Sequence, residues 1–252
     1  MVVLSHSRAC LCDCSEAMPN ELPLGERLDW RAARPPERTP LCGAHVLLRP
    51  IDAGRDAEPL YALSHLPDGD PTIWTYLPDG PYESVDHLRQ ALAWAQTTPD
   101  AVYFALAHPR EERALGIAAY LRITPEFGAI ELGHIWFGAP LRRTTAATEA
   151  IYLLVRHAVE ELGYRRVEWK CNALNAASRQ AAERFGFTFE GVFRKHQVVK
   201  GRNRDTAWYA IIDDDWPALR GGFRSWLAPE NFDDEGRQLR SLDASISSYN
   251  AD

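Results

Sequence analysis

No stretch of about eighteen consecutive apolar residues occurs in the chain, so no membrane span is expected. An excess of basic residues is missing too. The 28 lysines and arginines stand against 35 acidic residues, for a formal net charge of −7. That is a poor footprint for nucleic acid and a better match to a cationic substrate. Cysteine is scarce and odd in number: Cys10, Cys12, Cys14, Cys42 and Cys171. This argues against a disulfide framework and for a reducing, cytoplasmic compartment. The CxCxC spacing of the first three can hold a soft metal. No second ligand pair or Cys/His partner follows at zinc-site spacing, so these read as incidental thiols and no metal is expected. The start, MVVLSHSRACLCDC, lacks a basic n-region and its apolar run breaks at Ser5 and His6, so no secretory signal is expected. The absence of a GxxxxGK[ST] run excludes a P-loop, and no internal repeat is found.

What is present is an ordinary globular composition, 46% hydrophobic and 25% charged, in 252 residues, enough for one good core. Residues 1–20 lack periodicity and read as a disordered leader. Residues 21–42, with Pro23, Pro35, Pro36 and Pro40, read as an extended arm. Residues 43–228 form the domain, and 229–252 read as a polar tail, frayed or a short surface helix. Within the domain the patterning predicts a strand over 45–51, helices around 53–65 and 83–97, and three meander-like strands over 101–107, 114–123 and 129–137. A helix then carries Ile151, Leu154, Val155, Ala158 and Leu162 on one face and stops at Gly163. A strand over 165–171 alternates Val167, Trp169 and Cys171 with Arg166, Glu168 and Lys170. Asn175 caps a second helix ending at Gly186, and a hairpin turns at Lys200–Asn203. This order gives an α/β domain with a mixed sheet.

The junction Phe137-Gly138-Ala139-Pro140 into the helix starting near Leu141 is the most informative feature. The first amides of a helix lack partners, the dipole adds positive charge, and small residues let an anion approach. Arg142 and Arg143 add cations suited to phosphate. The alternative is a surface arginine pair before a Thr-capped helix.

The succession LRRTTAATEA, RRVEWKCNALNAASRQAAERFGFTFEGVFRKH and GRNRDTAWYAI resembles the GNAT acyltransferase superfamily, in particular its ribosomal-protein alanine N-acetyltransferase branch (RimJ/RimL type). The likeness covers about residues 43–217, and WTYLPDGPY upstream is similar to a segment of that branch. It implies a single GNAT-like domain with helices on both faces. Its mixed, largely antiparallel sheet splays between two parallel central strands, 129–137 and 165–171. It also implies an acetyl-coenzyme A co-substrate. The pyrophosphate would lie on Arg142, Arg143, Thr144, Thr145, Ala146, Ala147 and Thr148, where Arg142 and Ala147 match the family pattern. Thr145 replaces a usual glycine, so its bulk crowds a phosphate while its hydroxyl can donate to one. The pantetheine arm would pair with backbone around Ile135, Trp136 and Phe137, as an added strand does. Asn175 and Ser178 match the family's Asn-x-x-Ser and would face the coenzyme.

The implied reaction is direct attack of an amine on a thioester. Glu131 is the first candidate base, since a carboxylate among apolar neighbours (Ile130 and Leu132) can be tuned toward neutral pH. His134 is the second; period-two alternation puts the two on opposite faces. Ser178 is the candidate donor to the departing thiolate. Trp74, Tyr76 and Tyr82 are candidates to wall the acceptor pocket, and Cys171 reads as core. The acceptor is a protein N-terminus or a small amine. A small-molecule detoxifier, a non-catalytic coenzyme A-binding module, an interaction domain using the arm, and a homodimer all stay open.

Overall fold

Caps and turn residues set the element boundaries. Asp52 accepts from Arg55 N at 2.9 Å and opens helix α1 (Ala53–Ser64). Ser84 accepts from His87 N and opens α2 (Val85–Thr97). Thr144 opens α3 (Thr145–Arg156), and Asn175 opens α4 (Ala176–Arg184). Each short polar side chain satisfies an amide that the helix cannot. The structure, a computed structural model, describes residues 22–249. Cys10, Cys12, Cys14 and the leader 1–20 lie outside them. Residues 22–31 carry no helix or strand and belong to a unit separate from the body, which begins at Ala32.

Eight strands make one sheet in the order β1-β2-β3-β4-β5-β6-β8-β7. They are β1 (Leu41–Cys42), β2 (Leu47–Pro50), β3 (Val102–Ala107), β4 (Ala114–Thr124), β5 (Ala129–Phe137), β6 (Arg166–Asn172), β7 (Thr188–Val199) and β8 (Arg202–Ile212). Every neighbouring pair is antiparallel except β5–β6, which is parallel. Helices cover both faces. On one, α1 and α2 enclose Leu60, Leu88, Leu92, Tyr103 and Trp136. On the other, α3, α4 and α5 (Trp216–Leu227) enclose Phe104, Tyr120, Ile130, Leu132, Val167 and Tyr209. The alternation Tyr103/Phe104 on β3 is the period-two pattern of a sheet buried on both sides.

Two carboxylates fix this frame from inside. Asp56, fully buried, forms a bidentate pair with Arg49 at 2.5 and 2.9 Å. Glu149 on α3 accepts from the backbone amides of Ala44, His45 and Val46 at 2.6–3.0 Å, which ties α3 to the β1–β2 turn. The stretch 229–252, expected to be a polar tail or short surface helix, carries α6 (Leu242–Tyr249), with Leu242 and Ser245 buried. Gly222 of α5 admits it, since a Cβ there would sit 2.5 Å from Ile246. Among the described residues no helix is long and apolar enough to cross a membrane.

Candidate active site

The parallel pair β5–β6 stops early. Pairing runs over four positions, from Ala129↔Arg166 to Leu132↔Trp169, and then ends although β5 continues to Phe137 and β6 to Asn172. The strands part around a cleft of about 150 Å³. Backbone groups on a strand edge without a neighbouring strand are left for a ligand's amides to pair with.

A bulge in β5 shapes the cleft. Against β4, Ala119 pairs with Gly133 but Ile117 pairs with Trp136, so β5 carries one extra residue there. His134 sits in it with φ at +50°. An extra residue reverses the in–out parity of the strand beyond it. Glu131 and His134, expected on opposite faces, therefore both line the cleft.

Their surroundings differ. Glu131 is 3% exposed, but its neighbours in sequence, Ile130 and Leu132, point into the core on the other face. On its own face, Arg122 Nη1 donates to Glu131 Oε1 at 2.6 Å, and Lys170 Nζ lies 3.0 Å from Oε2. The expected apolar setting of this carboxylate is thus corrected to a cationic one. Lys170 also reaches Glu168 at 2.6 Å and lies 3.9 Å from the Trp208 ring centre. His134 is largely buried, with Nε2 3.7 Å from Asp79 Oδ1 and its ring edge-on to Tyr103. Burial holds this imidazole below the usual histidine range, and the Asp79 charge opposes that only partly.

Across the cleft, Asn175 and Ser178 stand at the start of α4, and both line it. Asn175 Oδ1 accepts from Ser178 N at 3.1 Å, so it caps the helix while facing the cleft. Ser178 Oγ accepts from Trp169 Nε1 at 3.0 Å. Cys171 also lines the cleft; burial pushes its thiol up, and a hydrogen bond with Ser178 opposes that.

The start of α3 is partly committed. Thr144 Oγ1 donates to Leu141 O and accepts from Ala147 N. Arg142 donates to Phe137 O (2.9 Å) and to Asp70 Oδ2 (2.6 Å). Asp70 is held down to about 2 by its Thr72 hydrogen bond and by Arg142. Arg143, at φ +59°, is exposed. Thr145 and Ala146, half-buried at the first two helical positions, have no carbonyl within the helix to pair with. Thr148 is buried and accepts from Arg184 Nη1. Arg143 and the amides of Thr145 and Ala146 are therefore the groups of this segment not engaged by the helix or its cap.

The aromatic candidates separate. Tyr76 lines the cleft and donates to Leu174 O at 3.3 Å. Trp74 is buried, with Nε1 donating to Ser64 O, and it packs against Trp136 and Tyr82. Trp74 and Tyr82 line a second cavity beside the cleft, and Trp136 lies in the core. Ile135 lines the cleft, whereas the Phe137 carbonyl is taken by Arg142. Sequence reasoning missed Arg122, Lys170, Arg204 and Asp79. Lys170 was within reach, because the alternation on β6 puts it on the face of Arg166 and Glu168. Asp79 and Arg122 come from a loop and a bulged strand, where spacing says nothing. No group of three or more His, Cys, Asp or Glu side chains suited to a metal occurs among the described residues.

Residues 45–188 match the sequence profile of the acetyltransferase (GNAT) domain. The structure is similar to that of a GCN5-related N-acetyltransferase from Brucella melitensis, at 42% identity and a TM-score of 0.82, over 87% of this chain and 99% of that one. It is also similar to a probable GNAT-family acetyltransferase from Chromobacterium violaceum, at 41% identity and a TM-score of 0.72, over 79% and 99%. The ribosomal alpha-N-protein acetyltransferase RimL, solved with coenzyme A, shares the fold at 21% identity and a TM-score of 0.58, over 69% and 98%. No curated protein matches the sequence.

Proposed function

The chain belongs to the GNAT acetyltransferase family, and from that premise we propose that it moves an acetyl group from acetyl-coenzyme A to a primary amine by direct attack in the β5–β6 cleft. The observation that carries this reading is the unpaired stretch of two adjacent parallel strands, with a histidine whose protonation burial disfavours on one side and Ser178 on the other. The residues present fit the coenzyme. Arg143 and the Thr145 and Ala146 amides suit a pyrophosphate, and the free edge of β5 near Ile135 suits an arm bearing amides. Arg142 joins them only by exchanging Asp70 for phosphate.

Acetyl-coenzyme A supplies the activated acyl group. His134 takes one proton from the arriving ammonium, which frees the nitrogen lone pair to form the C–N bond; the second proton leaves the nitrogen as the C–S bond breaks and goes to the departing sulfur. Amides on the open edge of β5 donate to the carbonyl oxygen as it gains charge. The Ser178 hydroxyl, whose oxygen already accepts from Trp169, donates to the departing sulfur. Glu131 positions Arg122 and Lys170; as the base it would first have to leave those ion pairs. The acceptor is a small amine or a protein N-terminus. A cytoplasmic setting goes with the free thiols of Cys42 and Cys171. The test is release of coenzyme thiol over a panel of primary amines and peptides. Turnover with one acceptor class is expected; tight acetyl-coenzyme A binding with no turnover on any amine would make the chain a binding module.

A further inference from the structure

Beside the cleft lies a second cavity of about 410 Å³, within the roughly 300–1,000 Å³ common for small-ligand sites. Pro78 and His134 line both, so the two cavities abut at those side chains. Its walls are mainly apolar, with Trp74, Leu88, Leu92 and Trp94 prominent. One acidic group breaks that surface. Asp79 Oδ2 accepts from the Tyr82 hydroxyl, while Oδ1 is shielded from solvent and accepts no hydrogen bond. Two bases face it. His134 Nε2 lies 3.7 Å from Oδ1, and the Lys200 ammonium, which feels the Asp79 charge, is turned to the Trp74 carbonyl at 2.7 Å. A shielded carboxylate oxygen without a donor is costly unless a cation meets it.

The chamber is held open by its own loop. Trp74 Nε1 donates to Ser64 O at 3.1 Å, and Tyr82 N donates to His65 Nε2 at 3.0 Å. Gly80, at φ +63°, lets the loop close on Trp74, because a Cβ there would lie 2.4 Å from the indole. A wall pinned at both ends needs little ordering when a ligand arrives.

Resting on the acetyl-transfer reading above, the geometry points to a small primary alkylamine with an aromatic or branched apolar body as the acceptor. The nitrogen sits at Asp79 and His134, and the body lies among Trp74, Leu92 and Trp94. Held there, the nitrogen is beside His134, which also lines the coenzyme cleft. A peptide N-terminus suits the chamber less well. Its amides would meet apolar walls whose polar atoms are largely engaged, as Trp74 Nε1 and the Tyr82 hydroxyl are.

Binding and turnover test this separately. Calorimetric titration of the full chain with 2-phenylethylamine should show binding. 2-Phenylethanol, without the cation, and ethylamine, without the body, should each bind about tenfold or more weakly, as expected when one charge-assisted contact or the apolar burial is lost. Asp79→Asn should weaken 2-phenylethylamine by about tenfold to a hundredfold. Ala91→Phe, from a half-exposed helix position on the chamber wall, should fill it and abolish binding, with a melting curve to show that the fold is kept. Equal binding of the alcohol and the amine, wild-type affinity in both variants, or tighter binding of a short peptide would overturn the inference. Acetylation of ethylamine or a peptide without 2-phenylethylamine binding also sinks it, while acetyl transfer to amines stands. Binding of 2-phenylethylamine with no acetylation of any amine keeps the chamber and removes the proposed reaction.

Discussion

Replacing His134 with glutamine separates the two candidate bases. Glutamine keeps a polar group of similar reach in the β5 bulge but cannot take a proton at neutral pH. An alkylammonium with a pKa of about 10 is neutral to roughly one part in a thousand at pH 7. Without a base, only that fraction attacks productively, so kcat/KM at pH 7 should fall by about 10²–10³-fold, inside the range for general-base loss. The variant should then recover by about tenfold per pH unit as the amine deprotonates itself. In the native protein, burial holds His134 below its usual 6.5. The acid limb of kcat/KM should therefore break below that value, and His134→Gln should replace that break with a rise that continues toward the amine's own pKa. Glu131→Gln is the matched control. It leaves Lys170 on Glu168 at 2.6 Å and should keep the acid limb while losing less activity. Stopped assays of thiol release from pH 5.5 to 9.5 give both profiles. If His134→Gln stays within about threefold of wild type at pH 7, or if Glu131→Gln is the variant that loses that break, the assignment is wrong.

Further tests address the coenzyme and the frame. Arg143→Ala should weaken acetyl-coenzyme A by about tenfold or more through loss of a charge-assisted contact, whereas Arg142→Ala should cost less because binding no longer has to displace Asp70; calorimetry decides, and equal losses would refute the division. Asp56→Ala strands Arg49 in a buried site and should destabilise by about 3–5 kcal/mol in denaturant melts; a loss under about 1 kcal/mol would mean that the pair is relieved by water. Burial also lowers His65, His134 and His157 from 6.5. The unfolded chain thus takes up protons at a higher pH than the folded one, so this stability is complete above about 6.5 and is lost as pH falls from there toward the folded values. Melting temperature should drop between pH 7 and 5, and a flat profile would contradict it.

The strands and capped helices were legible because their signals are local: alternation on β6, and Ser84, Thr144 and Asn175 before helical spacing. Helix α5 was not read at all. Its sequence, WPALRGGFRSWL, holds Pro217, Gly221 and Gly222, which look like breakers, yet Pro217 lies in the first turn and Gly222 is where α6 crosses. Packing overrode propensity there. At the site, the strand 129–137 was placed with the right ends but the wrong parity. A bulge leaves no mark in composition, so the faces of Glu131 and His134 came out opposed. The apolar flanks of Glu131 misled for a related reason, since adjacent residues on a strand share no face. The opposing charges, Arg122 and Lys170, come from other strands and become neighbours only through register.

The early end of the β5–β6 pairing has a consequence for how the molecule is assembled. Strands β1–β5 all precede α3 in the chain, and β6–β8 all follow it. The sheet is therefore two sequence-contiguous blocks of strands that share a seam of four paired positions. Their only covalent connection is the segment containing α3. A ligand lying beyond that seam, where the strands part, with its amides against β5 would act as a missing rung between an amino-terminal and a carboxy-terminal half. Occupancy of the cleft is then coupled to how firmly the halves hold together, and slowed amide exchange on β5 and β6 together, more than at either outer edge of the sheet, is the signature of that coupling.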